Sequence, residues 1–274
     1  MIGGLGNQMF QFALYLAFQA QGKKTLLDIS LYKQIKMHFG YELNRCFGIK
    51  SDLVTKGFLH IIFLRLILKF KPPTIVFKDS MAYSRLVFKS EAKYLIGYWQ
   101  SEKYFDDISD IVRSAFIFKD IDKRNFLIGE KMKLENSVSV HLRRGDYVEN
   151  PLYSNICTQD YYDKAIKLLI DNIEEKENIK FYIFSNDSEY AKEFCSKLEY
   201  ASQLIDFNTE TDSYKDMYLI SKCRYNIIAN SSFSWWGAWL NDFPEKKVVA
   251  PKKWYNTEDF NLYMDVVPSD WIKI

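Results

Sequence analysis

Two arginines side by side directly after an apolar run are the feature of this chain most suited to chemistry. His141-Leu142-Arg143-Arg144-Gly145-Asp146 follows the segment SVSV at 137–140, which reads as a strand, so these polar groups emerge at the end of a strand. One nearby carboxylate, Asp146, cannot neutralise two guanidinium groups, and their planar forks match phosphate oxygens bidentately. A diphosphate is the matching counter-charge; an Arg-rich solvated turn is the alternative. Asn230-Ser231-Ser232-Phe233-Ser234-Trp235-Trp236 follows a second apolar run, YNIIA, and opens a helix. Free backbone N–H groups and hydroxyls there favour an anion. Ordinary serine capping with the tryptophan pair in the core is compatible with that role.

Three further clusters complete the set. Gly3-Gly4-Leu5-Gly6-Asn7-Gln8 permits a tight turn and a close backbone approach to a ligand. It lacks the GK[ST] of a Walker loop, while Asp28 at the end of the next expected strand leaves a dinucleotide-binding reading open. Phe184-Ser185-Asn186-Asp187 ends another expected strand and points to the same edge. Asp120-Ile121-Asp122 resembles a metal-holding acidic pair but sits in a charged connector. It is assigned to the solvated surface, so that arginines rather than a metal neutralise a leaving group.

The elements that must position these residues alternate. Apolar side chains at helical spacing predict a helix over 9–21, followed by a short buried strand at 24–28 and a helical stretch ending near residue 116. The charged run 119–133 reads as the passage between two halves, placing a boundary near residue 130 and domains at 1–130 and 131–274. In the second half, strands are expected at 137–142, 180–185, 203–206, 225–229 and 248–250. Helices are expected at 159–172, 188–198, 212–222 and 234–240. Such alternation implies a parallel sheet, whose ligands bind beyond the carboxyl ends of its strands at the switch point.

The bulk properties narrow the function classes. With 274 residues, 48% hydrophobic and 26% charged, the chain is long enough for two domains and has an ordinary globular composition. A net charge of +2 gives no support to a nucleic-acid partner. Cys46, Cys157, Cys195 and Cys223 form no metal-binding spacing, and the start of the chain has no export signal, which together imply a cytoplasmic protein. Residues 57–70, GFLHIIFLRLILKF, are too short to span a bilayer. They are expected to pack on the domain, with peripheral contact at the inner face of the membrane as the alternative.

Taken together, GGLGNQMFQFA, HLRRGDYV, FYIFSND and SYKDMYLISKCRYNIIANSSFSWWGAWLN, with LDIS, GYELNRCFGI and VVAPKKWY, resemble the motifs of the α-1,2-fucosyltransferases, glycosyltransferase family 11, in its bacterial form. The resemblance implies an α/β protein with two Rossmann-like domains facing a cleft, of GT-B type. The second domain would hold GDP-fucose, and the first would approach the acceptor. It implies inverting transfer of L-fucose to the 2-hydroxyl of a galactosyl acceptor, an oligosaccharide or a glycolipid such as an O-antigen unit. Neither a cofactor nor a metal is implied.

By the same resemblance Arg143 binds the β-phosphate and stabilises the departing diphosphate, His141 lies near the guanine, and Arg144 and Asp146 organise the loop. Asp216 stands sixteen residues before Ser232, the spacing at which related enzymes pair a guanine-reading carboxylate with a phosphate-binding serine. Ser231 and Ser234 flank that serine, and Asp146 and Glu149 are the nearby carboxylates able to serve as base. Gly4, Asn7 and Gln8 are expected on the substrate side of the Gly-rich turn, Asn7 and Gln8 to position the acceptor. The family carries an apolar strand before that turn, whereas only Met1 and Ile2 precede Gly3 here, so the first strand is expected to be missing. A relative that binds the GDP-sugar without turnover is the alternative function.

Overall fold

The computed structural model describes the whole chain except residues 34–38, 51–52, 71, 73–75, 79–80 and 260–262 and the side chains of Lys33, Lys78 and Asp146. The chain divides into two compact units, Met1–Lys119 with Asn261–Val266, and Asp120–Phe260 with Val267–Ile274.

In the first unit, helix α1 (Leu5–Ala20) is buried over most of its circumference, with Met9, Phe10, Phe12, Ala13 and Leu14 all shielded from solvent. A helix apolar on nearly every side must be enclosed by its neighbours. Phe12 packs against Phe116, which in turn meets Phe47. Around α1 lie β1 (Leu27–Asp28), α2 (Leu43–Phe47), β2 (Leu53–Val54), α3 (Phe58–Phe70), β3 (Val76–Lys78), β4 (Tyr94–Ile96) and α4 (Ser109–Ala115). The described strands form two short parallel pairs, β1 with β2 and β3 with β4. Met1 and Ile2 form no strand.

The second unit contains α5 (Lys123–Leu134), β5 (Ser137–Leu142), α6 (Asp146–Glu149), α7 (Gln159–Asn172), β6 (Lys180–Ser185), α8 (Ser188–Lys197), β7 (Ala201–Ile205), α9 (Tyr214–Ile220), β8 (Tyr225–Ile227), α10 (Ser232–Leu240), β9 (Val248–Ala250) and β10 (Ile272–Lys273). Its sheet runs β10-β9-β8-β5-β6-β7 and is parallel throughout. This is the doubly wound order in which the chain leaves β5 toward one edge, returns to β8 beside it, and continues toward the other. Every residue of β5 is buried, as expected of a central strand covered on both faces. Its two serines are therefore paired. Ser137 donates to the Met132 carbonyl at 2.6 Å, and Asn226 donates to Ser139 at 2.7 Å while accepting from Asn241 at 2.8 Å.

Two features of the sequence reading change. The division falls between Lys119 and Asp120, because the charged connector is helix α5 and belongs to the second unit. There α5 is capped by Asp122 and held by Arg124, whose guanidinium lies 3.4 Å above the Phe207 ring. The sheet also continues past the expected last strand to β10, a two-residue edge strand too short to leave a periodic signal.

Candidate active site

The switch point of the second unit's sheet lies between β5 and β8, and the two motifs richest in polar groups begin at the carboxyl ends of these adjacent strands. Parallel pairing of Val140 with Ile227 fixes their register. His141 and Leu142 end β5 and Arg143 and Arg144 follow it; past β8 come Asn230 and the serines that start α10. The His141 and Phe233 rings lie 5.7 Å apart, so the end of β5 meets the first turn of α10.

Each side chain at this edge is set by a distinct local cause. His141 is 5% exposed, and its Nδ1 atom is buried without a hydrogen-bond partner. Burial, reinforced by the neighbouring Arg143 cation, pushes its pKa down to about 3, so the ring is neutral. The guanidinium of Arg143 lies 4.9 Å from the Tyr147 ring, which stacks on Tyr153 at 4.6 Å. Arg144 turns toward β6 instead. Its backbone N–H donates to Asn186 Oδ1 at 2.9 Å, and its guanidinium lies 4.2 Å over Tyr190 with Asp187 4.0 Å away. Between them Gly145 adopts φ +54°, ψ −119°, and a Cβ there would stand 2.5 Å from Asn186 Nδ2. Only glycine fits this turn without displacing the asparagine that holds Arg144.

At the facing helix, Ser231 caps α10 by accepting from Phe233 N–H at 3.4 Å, and Ser234 is buried with its hydroxyl on the Ser231 carbonyl at 3.3 Å. Ser232, the first helical residue, is half-buried. The N–H groups of the first turn have no partner within the helix and carry its positive end. Trp235 and Trp236 are wholly buried and form the core behind this terminus.

Asp216 on α9 is the fourth component. Asn208 donates to its Oδ1 at 2.8 Å and exchanges two hydrogen bonds with Asn125 at 2.8 and 2.9 Å. Burial nevertheless raises the Asp216 pKa to about 7, with Asp206 adding to the rise and Asn208 opposing it. A carboxylate so poorly compensated is poised for further hydrogen-bond donors. Gly237 sets the distance between α9 and α10, since a Cβ there would lie 2.5 Å from the Ile220 side chain. The close helix contact it permits fixes Asp216 relative to the start of α10.

Against known families, residues 78–274 match the model described as glycosyl transferase family 11. The chain belongs to that family. It is 34% identical to an Alpha-1,2-colitosyltransferase of Escherichia coli over 100% of this chain and 97% of the relative. It is also 34% identical to the O-antigen biosynthesis glycosyltransferase WbnK of Escherichia coli, over 99% and 98% of the two chains. Among solved structures it resembles the alpha-1,6-fucosyltransferase NodZ co-crystallized with GDP, with a TM-score of 0.52 and 12% identity over 85% of this chain and 88% of that one. That likeness concerns fold alone, and the fold class is the α/β GT-B type.

Within this family 11 chain, the residues singled out in the first unit are engaged inside that unit. For Gln8 the engagement is the most complete. Its side chain is fully buried, donates to the Gly3 and Gly40 carbonyls at 3.1 and 2.8 Å, and accepts from Glu42 N–H at 2.9 Å. The amide is committed to holding the first unit's loops and leaves no donor for an acceptor sugar. Asn7 is half-buried and accepts from Gln100 Nε2 at 2.7 Å, whereas Gly4 is the N-cap position of α1. Glu149 ends α6 and is exposed; the Asp146 side chain lies outside the described residues.

Of the connector's acidic pair, Asp122 is engaged locally. Asp122 accepts from Asn125 N–H at 3.0 Å and pairs with Lys215 at 3.1 Å, and these contacts hold its carboxyl well below the usual range. A carboxylate serving as helix cap and lysine partner is a poor metal ligand. Among the described residues no group of three His, Cys, Asp or Glu side chains could hold a metal ion. Sequence reasoning missed the paired amides of Asn125 and Asn208, which meet only in the fold, and Tyr147 beneath Arg143.

Proposed function

We propose that this chain is an inverting, metal-independent glycosyltransferase that moves L-fucose from GDP-fucose to the 2-hydroxyl of a galactosyl acceptor. The observation that carries this reading is the convergence of Arg143, the buried unpartnered Nδ1 of His141 and the start of α10 at one switch point. That combination suits a diphosphate. Arg143 supplies a fixed cation, the first turn of α10 supplies N–H donors with Ser232, and a neutral His141 offers a polar atom without repelling the guanine end. Asp216, once ionised, accepts from the N–H groups of the guanine edge.

In the chemical step the bond from the sugar to the β-phosphate lengthens while negative charge accumulates on GDP. Arg143 and the α10 terminus stabilise that charge more in the transition state than in the bound donor, which lowers the barrier. Positive charge is thus available without a divalent ion. The acceptor hydroxyl attacks the opposite face and loses its proton to a carboxylate, for which Asp146 and Glu149 are the candidates. Asn7 and Gly4 belong to the acceptor side of the reading, carried by the first unit.

A second donor is favoured by a specific observation, the full-length relative named as a colitosyltransferase. Colitose is L-fucose without its 3-hydroxyl, so both donors share the GDP half of the site. Release of GDP should be measured with EDTA present from GDP-fucose, GDP-colitose and GDP-mannose, with lactose, N-acetyllactosamine and galactosyl-N-acetylgalactosamine as acceptors. Acceptor-stimulated turnover of GDP-fucose supports the proposal, and faster turnover of GDP-colitose moves the donor assignment to that sugar. GDP binding without turnover of any donor would leave a GDP-sugar-binding relative.

A further inference from the structure

Helix α3 carries apolar side chains on two opposite faces, and the first unit uses only one of them. Ile61, Leu64 and Ile67 are buried, and the first two form a small cluster with Leu31 on which Leu68 and Tyr94 pack. His60 fastens the same side of the helix through a 2.6 Å contact with Asp28. At about 100° per residue, Leu59, Ile62, Phe63, Leu66 and Phe70 fall together on the opposite side. All five are exposed, Leu59 at 81% and Phe70 at 68%, with Phe63 at the margin also meeting the Tyr94 ring edge-on at 5.7 Å. Phe58, at the start of the helix, is 66% exposed as well.

A contiguous apolar stripe of this kind marks an interaction surface. Its flank indicates what it meets. Arg65 and Lys69 are exposed along one edge of the stripe, Lys56 lies just ahead of the helix, and no acidic residue occurs between Lys56 and Phe70. The helix has 13 residues, and no helix among the described residues is long and apolar enough to cross a membrane. Leucine and phenylalanine on one face with cations along the margin suit a helix lying in the plane of a bilayer. There the apolar face enters the acyl boundary and the long basic side chains reach the headgroups. We infer that α3 docks this chain on an anionic lipid surface through Leu59, Ile62, Phe63, Leu66 and Phe70, with Lys56, Arg65 and Lys69 on the phosphate groups. A protein partner would call for charge of both signs around the patch rather than cations alone.

The inference is independent of the donor site and is tested by sedimenting the full chain with vesicles of phosphatidylcholine alone and of phosphatidylcholine with phosphatidylglycerol. The chain is expected to bind the anionic vesicles. Arg65→Gln/Lys69→Gln should weaken that binding about 25-fold, at about fivefold for each cation near the surface. Leu59→Gln/Leu66→Gln should abolish it. These four positions are exposed, so both variants should keep the wild-type melting temperature and GDP affinity. Absence of wild-type binding overturns the inference, as does binding that survives both double substitutions. So does a wild-type dimer that ignores vesicles and becomes monomeric in Leu59→Gln/Leu66→Gln, which would assign the stripe to a second copy of the chain.

Discussion

The Gly-rich turn of the first unit and the motifs at the sheet edge of the second both carry polar side chains, yet these groups have opposite fates. In the first unit the Gly-rich turn places Gln8 where its buried amide is met by two carbonyls and an N–H group. In the second unit the turn after β5 leaves His141 Nδ1 buried without a partner, and α9 holds Asp216 with a pKa raised to about 7 by burial. A saturated buried amide stabilises the fold, whereas a buried group short of partners costs stability and persists where a ligand completes it. Motif membership alone therefore does not separate residues that build a site from residues that use it. Hydrogen-bond satisfaction does.

The largest effect that sharpens this contrast belongs to Arg143. Replacement by alanine is expected to lower kcat by about 10²–10³-fold, or about 3–4 kcal/mol, as for loss of a group aimed at developing charge. The far-UV spectrum and melting temperature should stay near wild type, because the guanidinium is not part of the core. GDP release under saturating donor and acceptor gives the rate. An unchanged kcat with only a raised KM would show that Arg143 binds donor and transition state equally.

Gln8→Ala should behave in the opposite way. Removing the amide strands the Gly3 and Gly40 carbonyls and the Glu42 N–H in a buried setting, at a cost of about 3 kcal/mol in stability. The melting temperature should fall while the GDP dissociation constant, measured calorimetrically well below the transition, stays unchanged. A raised dissociation constant with unchanged melting would return Gln8 to the binding residues and break the comparison.

How much of this contrast was legible in the sequence follows from the range of the interactions. Strand 137–142 and helix 159–172 coincide with β5 and α7, because burial of a parallel strand and the apolar stripe of an amphipathic helix are written in consecutive residues. The switch point was legible too, since alternation of strands and helices implies a parallel sheet and both motifs follow strands. Asn125 and Asn208, by contrast, meet across 83 positions of chain, and no local pattern marks Asn125 as the partner of Asn208 or Asn208 as the partner of Asp216. The charges of the connector 119–133 are largely exposed, as their composition suggested, but its membership of the second unit was not legible, because Asp122 capping and the Arg124–Phe207 contact that make it helix α5 depend on the fold. The second apolar face of α3 shows in composition, but its exposure depends on what the first unit leaves uncovered.

Asp216 gives a prediction of intermediate size whose sign depends on pH. Its folded pKa of about 7 stands above the unfolded value near 3.9, so between these values the folded protein holds a proton that the unfolded chain has released. Stability of the unliganded protein from this group is therefore fully present below about pH 4, is lost as pH rises from there to about 7, and changes no further above it. Under the proposed function GDP is held by the ionised carboxylate, so affinity should fall as pH drops below 7, approaching about tenfold per unit where proton release accompanies binding. Asp216→Asn should remove both dependences, raise the stability of the unliganded protein at pH 8, and weaken GDP binding by about 2 kcal/mol through loss of a charged acceptor. Calorimetric titrations at pH 5.5 and 8 and melting curves at the same values measure all three. A pH-independent affinity in the wild type would mean that Asp216 does not change its proton state on GDP binding.

The smallest expected change tests whether the turn after β5 is shaped for its cation. Gly145→Ala forces a side chain into φ +54°, ψ −119° and against Asn186, at a cost of about 1–2 kcal/mol. If the turn relaxes, Arg144 loses its backbone partner and Arg143 shifts with it, so kcat should fall by more than the loss in melting temperature accounts for. Asn186→Ala removes the obstacle and the Arg144 hydrogen bond together. The double variant Gly145→Ala/Asn186→Ala should therefore recover stability relative to Gly145→Ala while kcat stays low. Recovery of both would mean that the asparagine acts only as a steric neighbour; recovery of stability alone would mean that it positions the arginine turn, the role that most separates this edge of the sheet from the saturated loop around Gln8.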